Sequence, residues 1–177
     1  VFKFRHITPD DLAIILKWRT SDDVNKFMLS DVSYDLEQQK KWFQAIQSDR
    51  KSGYWIIEYN HQSIGVLNQS EISVEHKRCS WGFYIGDPNL KQLGGLIPPY
   101  FYNYVFASEN INKITAEVLS NNEKVMKLHR LHAYRDVGVY QSHIYKNDEW
   151  YDLHLFELHK EDWLQKKRFS SFLADFE

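Results

Sequence analysis

The chain has 177 residues, 43% hydrophobic and 26% charged, enough for one domain with a sizeable core. Its 22 basic and 24 acidic residues leave a net charge of -2, which argues against a protein that lives on phosphate contacts to nucleic acid. The single cysteine, Cys79, excludes a disulfide framework and a Cys-cluster metal site, and no apolar run is long enough to span a membrane. Val1 to Asp11 carries no apolar h-region, so a cytoplasmic location is expected.

In chain order, Phe2, Phe4 and His6 alternate with Lys3, Arg5 and Ile7, which predicts a short strand. Thr8-Pro9-Asp10-Asp11 has the make-up of a helix start, and Leu12, Ile15, Leu16 and Arg19 follow at helical spacing. A short helix is expected over 22–27, a loop over 28–34, and a third helix over 36–46 with Leu36, Trp42, Phe43 and Ile46 on one face. The period then changes to that of a meander: strands over 54–59, 63–72 and 80–85, with a turn at Asn60-His61-Gln62 and Gly65 at a bulge or close approach. Asn89 to Gly95 is predicted as a polar loop, and 97–106 as a helix whose Pro98 and Pro99 fall in its first turn. A strand over 113–118, a helix over 123–131 and two strands over 134–141 and 150–158 complete the series. The order predicts an α/β fold with a mixed, mostly antiparallel sheet and helices on both faces. Residues 1–160 form the expected domain, and 161–177 a charged tail, helical or partly disordered.

Four of the seven glycines, Gly82, Gly86, Gly94 and Gly95, fall close together. A strand ending near Gly86 runs into Lys91-Gln92-Leu93-Gly94-Gly95-Leu96, which opens onto a helix. Backbone amides bared by glycine at a helix N-terminus suit a pyrophosphate, with Lys91 to screen it; an ordinary tight turn is the other reading. Neither a Walker loop nor a Gly-x-Gly-x-x-Gly fingerprint is present. His129 and His132, three apart on a helix, have no third ligand at sensible spacing, so no metal is expected. The tryptophans at 18, 42, 55 and 81 suit a core or a ligand platform.

Tyr84-Ile85-Gly86-Asp87-Pro88, Lys91-x-x-Gly94-x-Leu96 and the run from Asn122 through Leu128-His129-Arg130-Leu131-His132-Ala133-Tyr134 together resemble the GNAT superfamily of acyl-CoA N-acetyltransferases. The resemblance covers nearly the whole chain. It departs from the usual pattern at Lys91 and Leu96, and at His129, where a tyrosine commonly serves as general acid. It implies acetyl-CoA as cosubstrate. Main-chain groups near Tyr84 and Ile85 would hold pantetheine, the loop at Lys91, Leu93, Gly94, Gly95 and Leu96 the pyrophosphate, and Asn122 the pantetheine arm. His129 would assist thiolate departure, as imidazolium or through the N–H of the neutral ring, with Tyr134 as the other catalytic candidate. Leu16-Lys17-Trp18-Arg19, Asn121-Asn122 and Glu149-Trp150-Tyr151-Asp152 resemble the branch that acetylates the 4-amino group of a UDP-linked dideoxy aminosugar, in pseudaminic acid biosynthesis and flagellin glycosylation. There Trp18, Arg19 and Gln39 would meet the substrate, although a histidine often stands at the position of Gln39. Arg19 equally suits a helix C-terminal cation. A ribosomal-type peptide N-acetyltransferase and a non-catalytic acyl-CoA-binding module remain open as functions, and a homodimer as the assembly.

Overall fold

A computed structural model describes residues 1–177. The elements in order are β1 (Phe2–His6), α1 (Leu12–Arg19, entered through a 3-10 turn at Pro9–Asp11), α2 (Asp22–Asn25), α3 (Leu36–Ser48), β2 (Gly53–Tyr59), β3 (Gln62–Ser73) and β4 (Arg78–Ile85). A 3-10 turn at Lys91–Leu96 leads into α4 (Ile97–Ser108), followed by β5 (Lys113–Leu119), α5 (Glu123–Leu131), β6 (Arg135–Lys146), β7 (Glu149–His159) and α6 (Lys160–Leu164).

Local chemistry explains most boundaries. The Asp11 carboxylate accepts from the Thr8 amide at 2.8 Å and the Thr8 hydroxyl at 2.9 Å, and two guanidinium nitrogens of Arg5 clasp it at 2.8 Å each. Arg5 also donates to Glu58 at 2.7 Å, so one forked cation ties β1, the entry to α1 and β2. Asp35 caps α3, accepting from the amides of Glu37 and Gln38. Both two-residue hairpin turns have positive φ at their central residues, Asn60 and His61 (49° and 66°) and Asn147 and Asp148 (53° and 59°). That backbone matches the right-handed twist of the strands they join.

The strands form one seven-stranded sheet, ordered β1-β2-β3-β4-β5-β7-β6. All pairings are antiparallel except β4 with β5. One face carries the larger core, with Phe101, Tyr102 and Val105 of α4 and Met126 of α5 over Leu67, Trp81, Ile114 and Phe156. The other carries a smaller one, in which Leu12, Ile15 and Trp18 of α1 and Phe43 of α3 cover Ile56 and Val66. The expected mixed sheet with helices on both faces is thus the one observed. Gly65 makes a close approach, since a Cβ there would strike the Tyr84 carbonyl across the strand pair, and a register shift at Ile57/Glu58 places a bulge beside it.

Three expectations change. The segment before α4 is no open loop but a 3-10 turn, continuous with the helix. The last hairpin is longer than its alternation suggested, because β6 bulges twice and is exposed over most of its length, so its outer residues carry no period. The final residues are helical over Lys160–Leu164, one of the two forms expected, but they dock on the domain. Trp163 is 2% exposed and its indole donates to Asn103. Phe176 stacks on Phe4 and Tyr104. The backbone of Asp175 and Glu177 bonds Phe4, covering the edge of β1. Aromatic residues every few positions, rather than the charges between them, dictate this docking.

Candidate active site

The site begins where the sheet splits. β4 and β5 pair only at Arg78, Cys79 and Ser80, opposite Lys113, Ile114 and Thr115. Beyond Ser80, β4 keeps β3 as its neighbour as far as Ile85, and β5 keeps β7 as far as Leu119. A wedge opens between them. At the end of β4 the amides of Gly86 and Asp87 both donate to the Ile64 carbonyl on β3, and the Tyr84 carbonyl faces Gly65. Main-chain groups alternate sides along a strand, so those of Phe83 and Ile85 face the wedge. Of the two residues expected to offer main-chain groups, Ile85 turns its own toward the wedge, whereas the Tyr84 carbonyl is turned to β3.

The head of the wedge is the turn that carries Lys91, Leu93, Gly94, Gly95 and Leu96. Leu93 packs toward the larger core, and Leu96 is exposed. A Cβ at Gly94 would sit in ordinary contact with Ile85 and Phe83, and one at Gly95 would meet nothing within 4 Å. Neither glycine has positive φ. The protein's own atoms therefore do not demand glycine at position 95; the bared surface leaves room for a group approaching the turn from outside. Lys91 Nζ donates to the Ile85 carbonyl at 2.6 Å.

The opposite wall is the β5–α5 junction. Asn122 precedes α5 and spends no side-chain bond on capping it. Asn121 instead donates to the Lys26 carbonyl at 3.0 Å. His129 faces inward from α5, 3% exposed, stacked on Tyr134 at 4.4 Å and edge-on to Phe156 at 5.4 Å. Its Nδ1 is buried without a hydrogen-bond partner. Burial, with a smaller push from His132, lowers its pKa to about 3. The ring is therefore neutral at ordinary pH. Of the two forms considered, burial favours the neutral ring, whose N–H is what His129 can offer. Tyr134 is buried, and its phenol oxygen accepts from the Trp81 indole at 2.8 Å. His132 sits 1% exposed against Tyr102, Trp163 and Phe169, and no group of three His, Cys, Asp or Glu is placed to hold a metal ion.

The third side is built from α1, α2 and the loop after it. The Trp18 indole lies where a side chain at Gly86 would fall, so glycine there is a packing requirement. Arg19 is not a free cation: it donates to Asn25 Oδ1 at 3.0 Å and to the Ser30 carbonyl at 2.7 Å. Gln39 is buried on the face of α3 that carries Phe43. Sequence reading missed Lys146, at the end of β6. Its ammonium is 3% exposed, donates to the carbonyls of Asn25 and Met28, and lies 3.2 Å from Asp31. In the sequence it is one more hairpin lysine, and no local pattern links it to residues more than a hundred positions earlier.

A sheet split between two parallel strands, with inward-facing main-chain groups along one and a glycine-bearing helix entry at its head, is the arrangement that the resemblance to acyl-CoA acyltransferases implies. Residues 4–155 match the acetyltransferase (GNAT) domain, and the chain belongs to that family: it is an N-acetyltransferase. Among curated proteins it is 28% identical over 127 residues to acetyltransferase PseH of Campylobacter jejuni, covering 72% of this chain and 78% of that one. It is 22% identical over 162 residues to the uncharacterized N-acetyltransferase YoaA of Bacillus subtilis, covering 88% and 92%. Among solved structures, spermidine N-acetyltransferase from Vibrio cholerae, in complex with CoA and spermine, superposes with a TM-score of 0.85 at 16% identity, over 92% of this chain and 98% of that one.

Proposed function

We propose that this N-acetyltransferase moves the acetyl group of acetyl-CoA to the 4-amino group of a UDP-linked dideoxy aminosugar, in the cytoplasm, as a step of pseudaminic acid biosynthesis for flagellin glycosylation. The similarity to proteins named acetyltransferase PseH, at 25–28% identity, carries the choice of acceptor. The wedge supports the donor, since its inward main-chain groups and the open surface at Gly95 fit a pantetheine arm and a pyrophosphate. Acetyl-CoA supplies the acetyl group as an activated thioester.

The chain's own residues have three tasks. Ile85, Phe83 and Asn122 orient the donor arm, while the turn that carries Gly94, Gly95 and Leu96 gives the pyrophosphate an open seat at the entry to α4. His129, neutral, donates an N–H toward the sulfur as the C–S bond breaks and the negative charge moves there. Tyr134 acts through His129: its oxygen accepts from the Trp81 indole, which fixes the phenol, and its ring backs the imidazole. The amine loses its proton to water or to a cleft carboxylate, and its lone pair forms the amide bond. Trp18 and Arg19 shape the acceptor side by packing on Gly86 and by anchoring the loop at Asn25 and Ser30. Gln39, buried on α3 beside Phe43, completes that side. The exposed outer strand β6, with Val137, Val139 and Tyr140 each about half exposed, supports a homodimer. A one-chain mass in light scattering would contradict that part.

The test is acetyl-CoA consumption with a panel of UDP-4-aminosugars, N-terminal peptides and spermidine. Turnover confined to the aminosugars is expected. Turnover of peptides or spermidine alone would replace the acceptor and leave the donor assignment standing.

A further inference from the structure

We propose that Lys91 sets donor selectivity: its ammonium closes the Ile85 carbonyl to a bare pantetheine arm and yields it to one that carries a phosphate. The inference rests on the acetyl-CoA reading above and deepens it. The Ile85 carbonyl belongs to the stretch of β4 that has lost β5 as a neighbour, and it faces the wedge. Lys91 Nζ already donates to it at 2.6 Å. An extended amide-bearing arm laid along β4 needs that same acceptor, so arm and lysine compete for one carbonyl. The root of Lys91 stands on the 3-10 turn, one turn before Gly94, and residues three apart on such a turn lie above one another. The lysine therefore begins beside the Gly94–Gly95 surface, and its flexible stem can exchange the carbonyl for an anion there.

The balance differs between the two donors. A bare arm must break a charge-assisted bond and leaves the ammonium among Asp23, Asp87 and the like-charged Lys26, with no new partner. A pyrophosphate at Gly95 receives the displaced ammonium, and a contact to a full anionic charge more than repays the bond lost to a neutral carbonyl. Removing the charge should thus act in opposite directions on the two ligands, which neither a simple phosphate clamp nor a simple lid would do.

Calorimetric titration of CoA and of reduced pantetheine into the wild-type protein, Lys91→Met and Lys91→Arg is the test, with thermal midpoints as the control for folding. Lys91→Met should weaken CoA severalfold, the excess of an ion pair to phosphate over a bond to a neutral carbonyl, and tighten pantetheine severalfold. Lys91→Arg should keep the wild-type order of the two. Loss of CoA affinity with pantetheine unchanged or weaker overturns the proposal and leaves a phosphate clamp. Tightening of both ligands overturns it and leaves a lid. Wild-type protein that binds neither ligand overturns the acetyl-CoA reading itself, and this inference with it.

Discussion

His129 is a histidine held neutral by its surroundings, and that has consequences for both stability and rate. In the unfolded chain it titrates near 6.5, whereas in the fold burial lowers its pKa to about 3, and that of His132 to about 4. A depressed folded pKa means that the unfolded chain binds the protons first. The stability from these two groups is complete above about pH 6.5 and is lost progressively as the pH falls toward 4 and 3. The urea midpoint should therefore drop steeply between pH 6.5 and 4, and His129→Phe should flatten the drop; an unchanged slope would show that the ring is not sealed. The same variant should lower kcat at saturating acetyl-CoA by about 100-fold, the usual scale for a positioned proton donor, with little change in the KM for acetyl-CoA. An unchanged kcat would pass the role to water. Close by, Ala133 has φ 72°, left-handed backbone in which glycine is the usual residue. Its amide bonds the Arg130 carbonyl at 3.2 Å, and the Tyr134 amide bonds that of His129 at 3.0 Å, so the left-handed turn ends α5. Ala133→Gly should stabilise the protein by about 0.5–1 kcal/mol in urea unfolding.

At the scale of elements, the loop between α2 and α3 is held from three sides: by Arg19 from α1, by Asn121 from the β5–α5 junction and by Lys146 from β6. Lys146 is the most buried of the three. Lys146→Met fills the space and removes the donor, leaving the carbonyls of Asn25 and Met28 without it, at a cost of about 1–3 kcal/mol each where they stay dry. The expected result is faster amide exchange over residues 25–31 and a higher KM for the acceptor amine, with CoA affinity within about twofold of wild type. Equal losses on both substrates would mean that the loop supports the whole fold rather than the acceptor side. The boundaries of these elements were largely legible, because Asp35, Pro9 and the paired turn residues act within a few positions of themselves. The loop's anchors were not, since Lys146 reaches its partners across the chain.

For the whole molecule, the closing segment is part of the core rather than an appendage. Phe176 stacks on Phe4 at 4.3 Å and on Tyr104 at 4.1 Å, and lies edge-on to Trp55 at 5.6 Å. Ending the chain after Phe172 should cost about 2–4 kcal/mol, the range for losing one large buried aromatic with its neighbours' contacts. The protein should stay folded, with a lower thermal midpoint and an exposed β1 edge. An unchanged midpoint would mean that the strap is not docked in solution.

The amino-acid sequence by itself determined the series of strands and helices, the glycine-bearing entry to α4 and the resemblance to an acetyl-CoA-dependent family. Periodicity, caps and turn residues are short-range, and each is complete within about a dozen positions. Only the tertiary structure decided that β4 and β5, which begin 35 residues apart, part after Ser80, that the Ile85 carbonyl faces the wedge and meets Lys91, and that His129 is too deeply buried to carry charge. The physical reason is common to all three. Which side of a strand is left unpaired, and how dry a side chain becomes, depend on neighbours brought in from distant positions, and no local pattern of residues records them.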